Sequence, residues 1–481
     1  MSALTATTIE EPASGAALMA LATEHERAGR VDEARACAEQ VLAADPDHAD
    51  ALQMMGAAAF RDGRMDEALR LMERSREIDP AKTLYARNLC EVYRLLGRYD
   101  EALQAGLSAV LGDPRDPIAH VNLSVLRLAR GEPAEAIVSA ERALALDPTL
   151  PGAPFGLAEA LLLRGEFARG WEEYEWRFRL KGVPTLMPRT DIPQWDGAPV
   201  EGRIVLIADQ GFGDCIQFSR FIPWAAARCQ GLVLACGKEM QPLLGQFSDV
   251  TSMFDQWNDC PEAVAYLPLS GLPRLAEAKL GAIPAEIPYL RAEPDRKAAW
   301  TARLAALVSP RHRRVGLVWA GRPTHRNDHN RSVSLKTLAP IAALDGLSLI
   351  SLQKGPPQGQ VAEFFGRAPL VNLGPEIDDF RDTAAIIEAL DLVVTVDTAV
   401  AHLAGALGKP VWIMTPFAPD WRWLEKRADS PWYPTVRLFR QAAPREWGPV
   451  VEAVAVALAS ELASLRRTDL SGAGGSAARP R

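Results

Sequence analysis

The chain has 481 residues, 48 % of them hydrophobic and 24 % charged, with a formal net charge of −8. That length exceeds one ordinary domain and fits two to four. The acidic balance argues against a general nucleic-acid binder, and no apolar run approaches the length of a membrane span.

The six cysteines (Cys37, Cys90, Cys215, Cys229, Cys236 and Cys260) are scattered, with no Cys-x-x-Cys pair. This pattern reads as free thiols in a reducing compartment, neither a disulfide framework nor a zinc site. The N-terminus lacks the basic-then-apolar pattern of a signal peptide. The expected location is the cytoplasm.

In chain order, residues 1–15 read as a flexible start. The next segment is periodic. Gly29, Gly63, Gly97, Gly131 and Gly165 recur at intervals of 34 residues. The first three open the motif Arg-x-Asp-Glu-Ala, ending at Ala34, Ala68 and Ala102. Asp-Pro recurs in step at Asp45, Asp79, Asp113 and Asp147. A helix-breaking Gly, a small residue five positions later and a terminating Pro describe paired helices in close contact. The period resembles that of tetratricopeptide repeats and predicts an α-solenoid over residues 16–182. Such an array is lined on its inner face by the first helix of each repeat. Asn88 and Asn122 hold equivalent positions there. They fit either a short amide ladder that binds an acceptor peptide or ordinary polar surface. Trp171, Tyr174, Trp176 and Phe178 read as a plug for the solenoid end.

Residues 183–202 are rich in Pro and Gly and read as a linker. A first α/β lobe is expected over residues 203–308. It opens with a buried strand at 204–208, the turn Gln210-Gly-Phe-Gly-Asp214 and a helix over 216–228. Gly211 and Gly213 permit a tight turn and close approach of a ligand. Asp214 follows the strand and the glycines. It is placed either to cap the helix or to act as a general base at a cleft edge. The spacing is not Gly-x-Gly-x-x-Gly, because position 216 is Ile, which argues against a nicotinamide enzyme.

A second lobe is expected over residues 309–466, with a disordered tail at 467–481. Strands are predicted at 315–319, 347–352, 392–396 and 411–414, the third and fourth flanking a helix over 399–407. Asp397 and Thr398 stand at the start of that helix, where free N–H groups and the dipole favour phosphate. His402 lies one turn on, on the same face as Thr398. It reads equally as a ligand for phosphate or as a packed core histidine. Arg331, Gln353 and Lys354 fall on loops at strand ends, where a cation stabilises a departing phosphate. His325 and His329 are spaced i, i+4 in a polar loop, which does not suit a metal-binding helix. No metal site is expected.

Asp397-Thr-Ala-Val-Ala-His402, followed by Leu-Ala-Gly-Ala-Leu-Gly-Lys-Pro, resembles the donor-binding motif of heptosyltransferase-like GT-B glycosyltransferases. Gln210-Gly-Phe-Gly-Asp214 resembles their N-terminal motif, whose Asp is the base. Joined to the repeats, and with Trp319-Ala-Gly, Asn327-Asp-x-Asn-Arg331, Ser351-Leu-Gln-Lys-Gly355 and Asp420-Trp-Arg-Trp423, the chain is similar to bacterial repeat-containing protein glycosyltransferases, including those that modify flagellin. The resemblance implies a solenoid followed by a GT-B domain of two Rossmann-like lobes. It implies a metal-independent transferase with no cofactor other than a nucleotide-sugar cosubstrate, carried on CMP, UDP, GDP or ADP. It implies Asp214 as base and Arg331, Gln353, Lys354, Asp397, Thr398, Ala399 and His402 on the donor. The implied partner is a protein acceptor, flagellin among the candidates, modified on Ser or Thr. Heptosyltransferases carry Lys near the place of Arg331, so the donor is not restricted to ADP-heptose. A lipopolysaccharide-type glycan acceptor and a non-catalytic scaffold are the alternative expectations.

Overall fold

The computed structural model describes residues 14–180, 191–284, 286–325 and 327–473. The expected flexible start, the first part of the linker, Arg326 and the end of the tail lie outside them. The chain divides into two compact units, Met1–Leu157 and Ala158–Arg481.

The first unit is a run of antiparallel helix pairs, beginning Gly15–Arg27 with Val31–Ala44 and Ala49–Arg61 with Met65–Ile78. The 34-residue period explains each joint. Gly29, Gly63, Gly97 and Gly131 all adopt positive φ, between 69° and 76°, the left-handed conformation that closes a helix and that side chains resist. Ala34, Ala68, Ala102 and Ala136 are fully buried where paired helices meet. Each second helix stops at its Asp, because the following Pro forces that residue out of the helical region. No other atom lies within 4 Å of a Cβ built on Gly63, whose φ is +76°. Gly63→Ala therefore isolates the backbone cost, and urea unfolding should show a loss of about 1 kcal/mol.

The second unit holds two parallel sheets. Strands β1 (Arg203–Ile207), β2 (Gly231–Ala235), β3 (Val250–Phe254) and β4 (Ala265–Pro268) form the first, in the order β3-β2-β1-β4. Strands β5 (Arg313–Val318), β6 (Leu347–Ser351), β7 (Leu370–Asn372), β8 (Leu392–Val396), β9 (Val411–Thr415) and β10 (Val436–Arg440) form the second, in the order β10-β9-β8-β5-β6-β7. Both orders reverse direction once, between β1 and β4 and between β5 and β8. These are the switch points where ligands enter open α/β sheets. Strands β6, β8 and β9 are buried along their whole length, as their unbroken apolar runs require. The chain is thus an α-helical repeat array followed by a two-lobed α/β domain.

Three local departures from the sequence reading have physical causes. The helix expected over 216–228 begins earlier, at Phe212, and is interrupted by a 3-10 turn before Pro223. The second half of the expected linker is packed: Trp195 is buried, its N–H donates to the Tyr266 carbonyl at 2.8 Å, and the Tyr266 N–H donates to the Pro193 carbonyl at 3.1 Å. The helix Phe167–Tyr174 carries Trp171 into an aromatic cluster with Phe218, Trp421 and Trp432. It belongs to the second unit, and the division at Leu157 falls earlier than the change of composition at residue 183.

The last helix, Trp447–Ala473, contains a 20-residue stretch apolar enough to cross a membrane by composition. Its stripe of Val450, Val451, Val454, Leu458 and Leu462 is instead part of the core over the second sheet, which accounts for that apolarity.

Candidate functional site

The carboxyl edges of the two sheets enclose a cavity of about 1060 Å³. Gly211, Gly213, Asp214, Arg331, Gln353, Lys354, Asp397, Thr398, Ala399 and His402 all line it. The fold thus brings together at one cavity residues from segments almost 200 positions apart. Asn88 and Asn122 belong to the first unit. Asn122 Nδ2 donates to the Arg87 carbonyl at 3.2 Å, so this amide ties one first helix to the next.

Gly211 is the N-cap of the helix Phe212–Phe218, and Asp214 is its third residue. The Gly211 backbone stands close enough to the Asp214 carboxylate to lower its pKa, an arrangement like the return half of a capping box. Capping and exposure to the cleft are thus compatible: 24 % of the Asp214 side chain remains exposed. Burial raises its pKa, opposed by Arg422 and reinforced by Asp420. A carboxylate of raised pKa within reach of a ligand is suited to accept a proton.

Arg422 escaped the sequence reading, yet it organises this corner. It is 6 % exposed. One Nη donates to Asp214, the other to Asp420 at 2.8 Å, and Nε donates to Gln217 Oε1 at 2.5 Å. Burial opposes the charge, but Asp420 and Asp214 outweigh it and raise the pKa. The guanidinium also lies 4.1 Å from the ring centre of Trp421. Flanking tryptophans at Trp421 and Trp423 were the available signal that Arg422 is buried, and a buried Arg needs carboxylate partners.

Asp397 ends β8. Burial and the neighbouring Asp420 push its pKa up to about 6, with Arg331 opposing. The Trp423 indole N–H lies near Asp397 and lowers that value, although it makes no geometrically complete hydrogen bond. Thr398 is the N-cap residue of the helix Ala399–Ala406, but its side chain does not cap. Its hydroxyl meets Thr395 Oγ1 at 3.1 Å, and Thr395 donates to the Val396 carbonyl at 2.7 Å. Thr398 therefore leaves the first-turn N–H groups of the helix to the cavity. Gly408, at φ +71°, closes the same helix.

His402 is 4 % exposed and stacks on Trp423, with ring centres 5.3 Å apart. Burial, followed by Arg422, Arg220 and Arg331, holds its pKa well below the usual histidine value. It is both packed and a wall of the cavity. A methyl group on Gly213 would lie 2.8 Å from His402 Cδ2. Gly213 is thus required by close approach between the lobes.

Two of the expected donor residues are already engaged by the protein's own backbone. Gln353 is 2 % exposed: its Oε1 accepts the Trp319 and Ala320 N–H groups at 3.0 and 2.9 Å, and its Nε2 donates to the Ala320 and Lys354 carbonyls at 3.0 Å. The Lys354 ammonium donates to the Gly374 and Ile377 carbonyls at 2.9 and 2.7 Å. Both side chains therefore fix the cleft loops rather than reach out toward a phosphate. Arg331 lines the same cavity, its Nε 3.4 Å from Asp328 Oδ1. His325 lines the cavity too, its pKa lowered by burial and then Arg331. Among the described residues, no group of three His, Cys, Asp or Glu side chains is placed to hold a metal ion.

Comparison with known proteins adds independent findings. Residues 19–83 and 91–154 match the tetratricopeptide repeat family, and residues 360–413 match glycosyltransferase family 9 (heptosyltransferase). The second match includes the whole Asp397–His402 motif. Protein FlbA of Caulobacter vibrioides is 29 % identical over 331 residues, covering 62 % of this chain and 53 % of FlbA. The chain thus spans about half the length of this curated relative. Among solved structures, pilF of Pseudomonas aeruginosa is 21 % identical over 35 % of this chain and 78 % of its own, with a TM-score of 0.32. A tetratricopeptide-repeat protein of Thermus thermophilus is 23 % identical over 35 % of this chain and 93 % of its own, with a TM-score of 0.31. The sequence comparisons join tetratricopeptide repeats to a glycosyltransferase segment of heptosyltransferase type in one chain.

Proposed function

We propose that this protein is a metal-independent protein O-glycosyltransferase of GT-B architecture. It takes a nucleotide-sugar donor in the second lobe and an acceptor Ser or Thr beside Asp214. The observation that carries this reading is the cavity itself. A carboxylate of raised pKa from one switch point faces an uncapped helix end, Arg331 and a neutral histidine from the other.

Asp214 accepts the proton of the acceptor hydroxyl as its oxygen attacks the anomeric carbon. The bond from that carbon to the donor phosphate breaks, and the nucleotide leaves with the electron pair. Negative charge then grows on phosphate, where Arg331, the first-turn N–H groups after Thr398 and His402 can meet it. This division of labour assigns to protein donors the role that a metal plays in other transferases. The repeats recruit the acceptor, with Asn88 and Asn122 candidates for its main chain and flagellin a candidate acceptor. Free cysteines, six in number, and the supply of nucleotide sugars favour a cytoplasmic setting.

The heptosyltransferase match supports a second reading, a glycan acceptor. Intact-mass analysis of surface proteins and of lipopolysaccharide, from cells with and without the protein, decides between them. A sugar lost from protein alone supports the first, and one lost from glycan alone overturns it. Calorimetry with CMP, UDP, GDP and ADP identifies the donor class, and no binding by any of them would sink the catalytic reading. Transfer should also fail on the acid side. A protonated Asp214 cannot accept the hydroxyl proton, and its raised pKa moves that loss above the ordinary carboxylate range. A pH–rate profile of kcat/KM reads this limb directly.

A further inference from the structure

The His402 ring carries one proton, and the site's chemistry depends on which nitrogen holds it. Nδ1 lies 2.9 Å from the Tyr433 hydroxyl oxygen. Tyr433 is fully buried, and it is seated against Gly405, where a Cβ would lie 2.5 Å from the phenol ring. Nothing larger than glycine fits at position 405 without displacing that ring.

The direction of the bond follows from the next neighbour. Arg220 reaches over from the first lobe, 5 % exposed, its guanidinium 4.7 Å from the Tyr433 ring centre and against its hydroxyl. Its Nη1 donates to the Trp432 carbonyl at 2.8 Å, and its Nη2 donates to the Tyr289 hydroxyl at 3.2 Å. Tyr289 in turn donates to the Ile216 carbonyl at 3.0 Å. A guanidinium has donors only. Beside that cation a phenol is a stronger donor and a weaker acceptor. The Tyr289 hydroxyl is the other acceptor beside this phenol, but its oxygen already takes the Arg220 N–H, so Tyr433 donates to Nδ1. A neutral imidazole that accepts at Nδ1 must carry its proton on Nε2. That edge faces the cleft turn: a methyl on Gly213 would lie 3.4 Å from Nε2. Trp423, stacked at 26°, holds the plane of the ring.

We propose that Tyr433 is a positioning residue which, backed by Arg220 of the facing lobe, locks His402 as the Nε2–H tautomer and so presents an N–H donor to an anionic phosphate group in the cavity. The phosphate in this statement rests on the donor-site reading above, whereas the tautomer rests on these contacts and on the neutrality of the buried ring. His402 is then neither the acid nor the base of the reaction. It is a fixed hydrogen-bond donor, and the two lobes must be in register for its proton to sit on the correct nitrogen.

The full chain labelled with ¹⁵N in its histidine rings tests this through long-range ¹⁵N–¹H correlation, with His402→Gln identifying the signal among seven histidines. The expected spectrum has a pyrrole-like Nε2 and a hydrogen-bonded, pyridine-like Nδ1. Tyr433→Phe should move Nδ1 to the shift of an unbonded acceptor, with both tautomers populated. It should also weaken inorganic pyrophosphate binding by about tenfold. Arg220→Gln should move the same Nδ1 signal in the same direction. A wild-type ring protonated on Nδ1, or a Tyr433→Phe spectrum identical to wild type, would overturn the proposal. The wild-type spectrum decides the tautomer even where a variant does not fold. Nε2–H signals indifferent to pyrophosphate and to every nucleotide would uphold the tautomer and overturn its assignment to phosphate.

Discussion

Asp214→Asn should lower the rate of sugar transfer by about 10²- to 10⁴-fold while leaving nucleotide affinity close to wild type. Asn keeps the size of the side chain and its place beside the Gly211 backbone, so the turn and the helix start survive. What it loses is the ability to take a proton. The loss should therefore appear in kcat rather than in KM for the donor. Single-turnover transfer measured beside nucleotide calorimetry separates the two. A variant with wild-type kcat would remove Asp214 from the chemistry and leave it as a helix-capping residue.

Arg422→Met should be the most destabilising single change in the cleft. Asp214 and Asp420 both lean on this guanidinium, and Gln217 accepts from it. Breaking one side of a buried ion pair strands the other, at about 3–5 kcal/mol. Exposure of Asp214 and Asp420 to the cavity sets the outcome nearer the lower figure. Urea unfolding measures the loss. The double variant Arg422→Met with Asp214→Asn should be less destabilised than the sum of the two singles, because the stranded charge is gone. Strict additivity would mean that the pair contributes nothing to holding the lobes.

The elements most legible in the sequence were those whose signal is local. Gly63 needs positive φ whatever surrounds it, so a glycine every 34 residues gave away the helical joints. The apolar runs of β5, β6, β8 and β9 were equally plain, since strands buried on both faces carry no polar alternation. Strand β7 has three residues and no such run, and it went unseen. The site was half legible. Asp214, Asp397 and His402 stand at fixed offsets from strand ends, which sequence can count. Gln353 and Lys354 stand at similar offsets but turn inward, onto carbonyls contributed by distant segments. Arg422 shows the same limit from the other side. Its partner Asp214 lies 208 residues away in the chain, and no local pattern records that pairing. Tyr433 matters through one hydrogen bond to His402, which only the fold brings about.

The placement of the helix Phe167–Tyr174 bears on how this gene can be cut and joined. Its period makes it the close of the last repeat, yet Trp171 is packed among Phe218, Trp421 and Trp432. A break at residue 183, where composition changes, would strip those rings bare and take Tyr174 from the cavity wall. A break before Gly152, ahead of the helix Gly152–Leu163, keeps them covered. The repeat number can therefore grow or shrink by recombination among the earlier units, each 34 residues long. The last helix pair must stay with the α/β half as an inherited part of it.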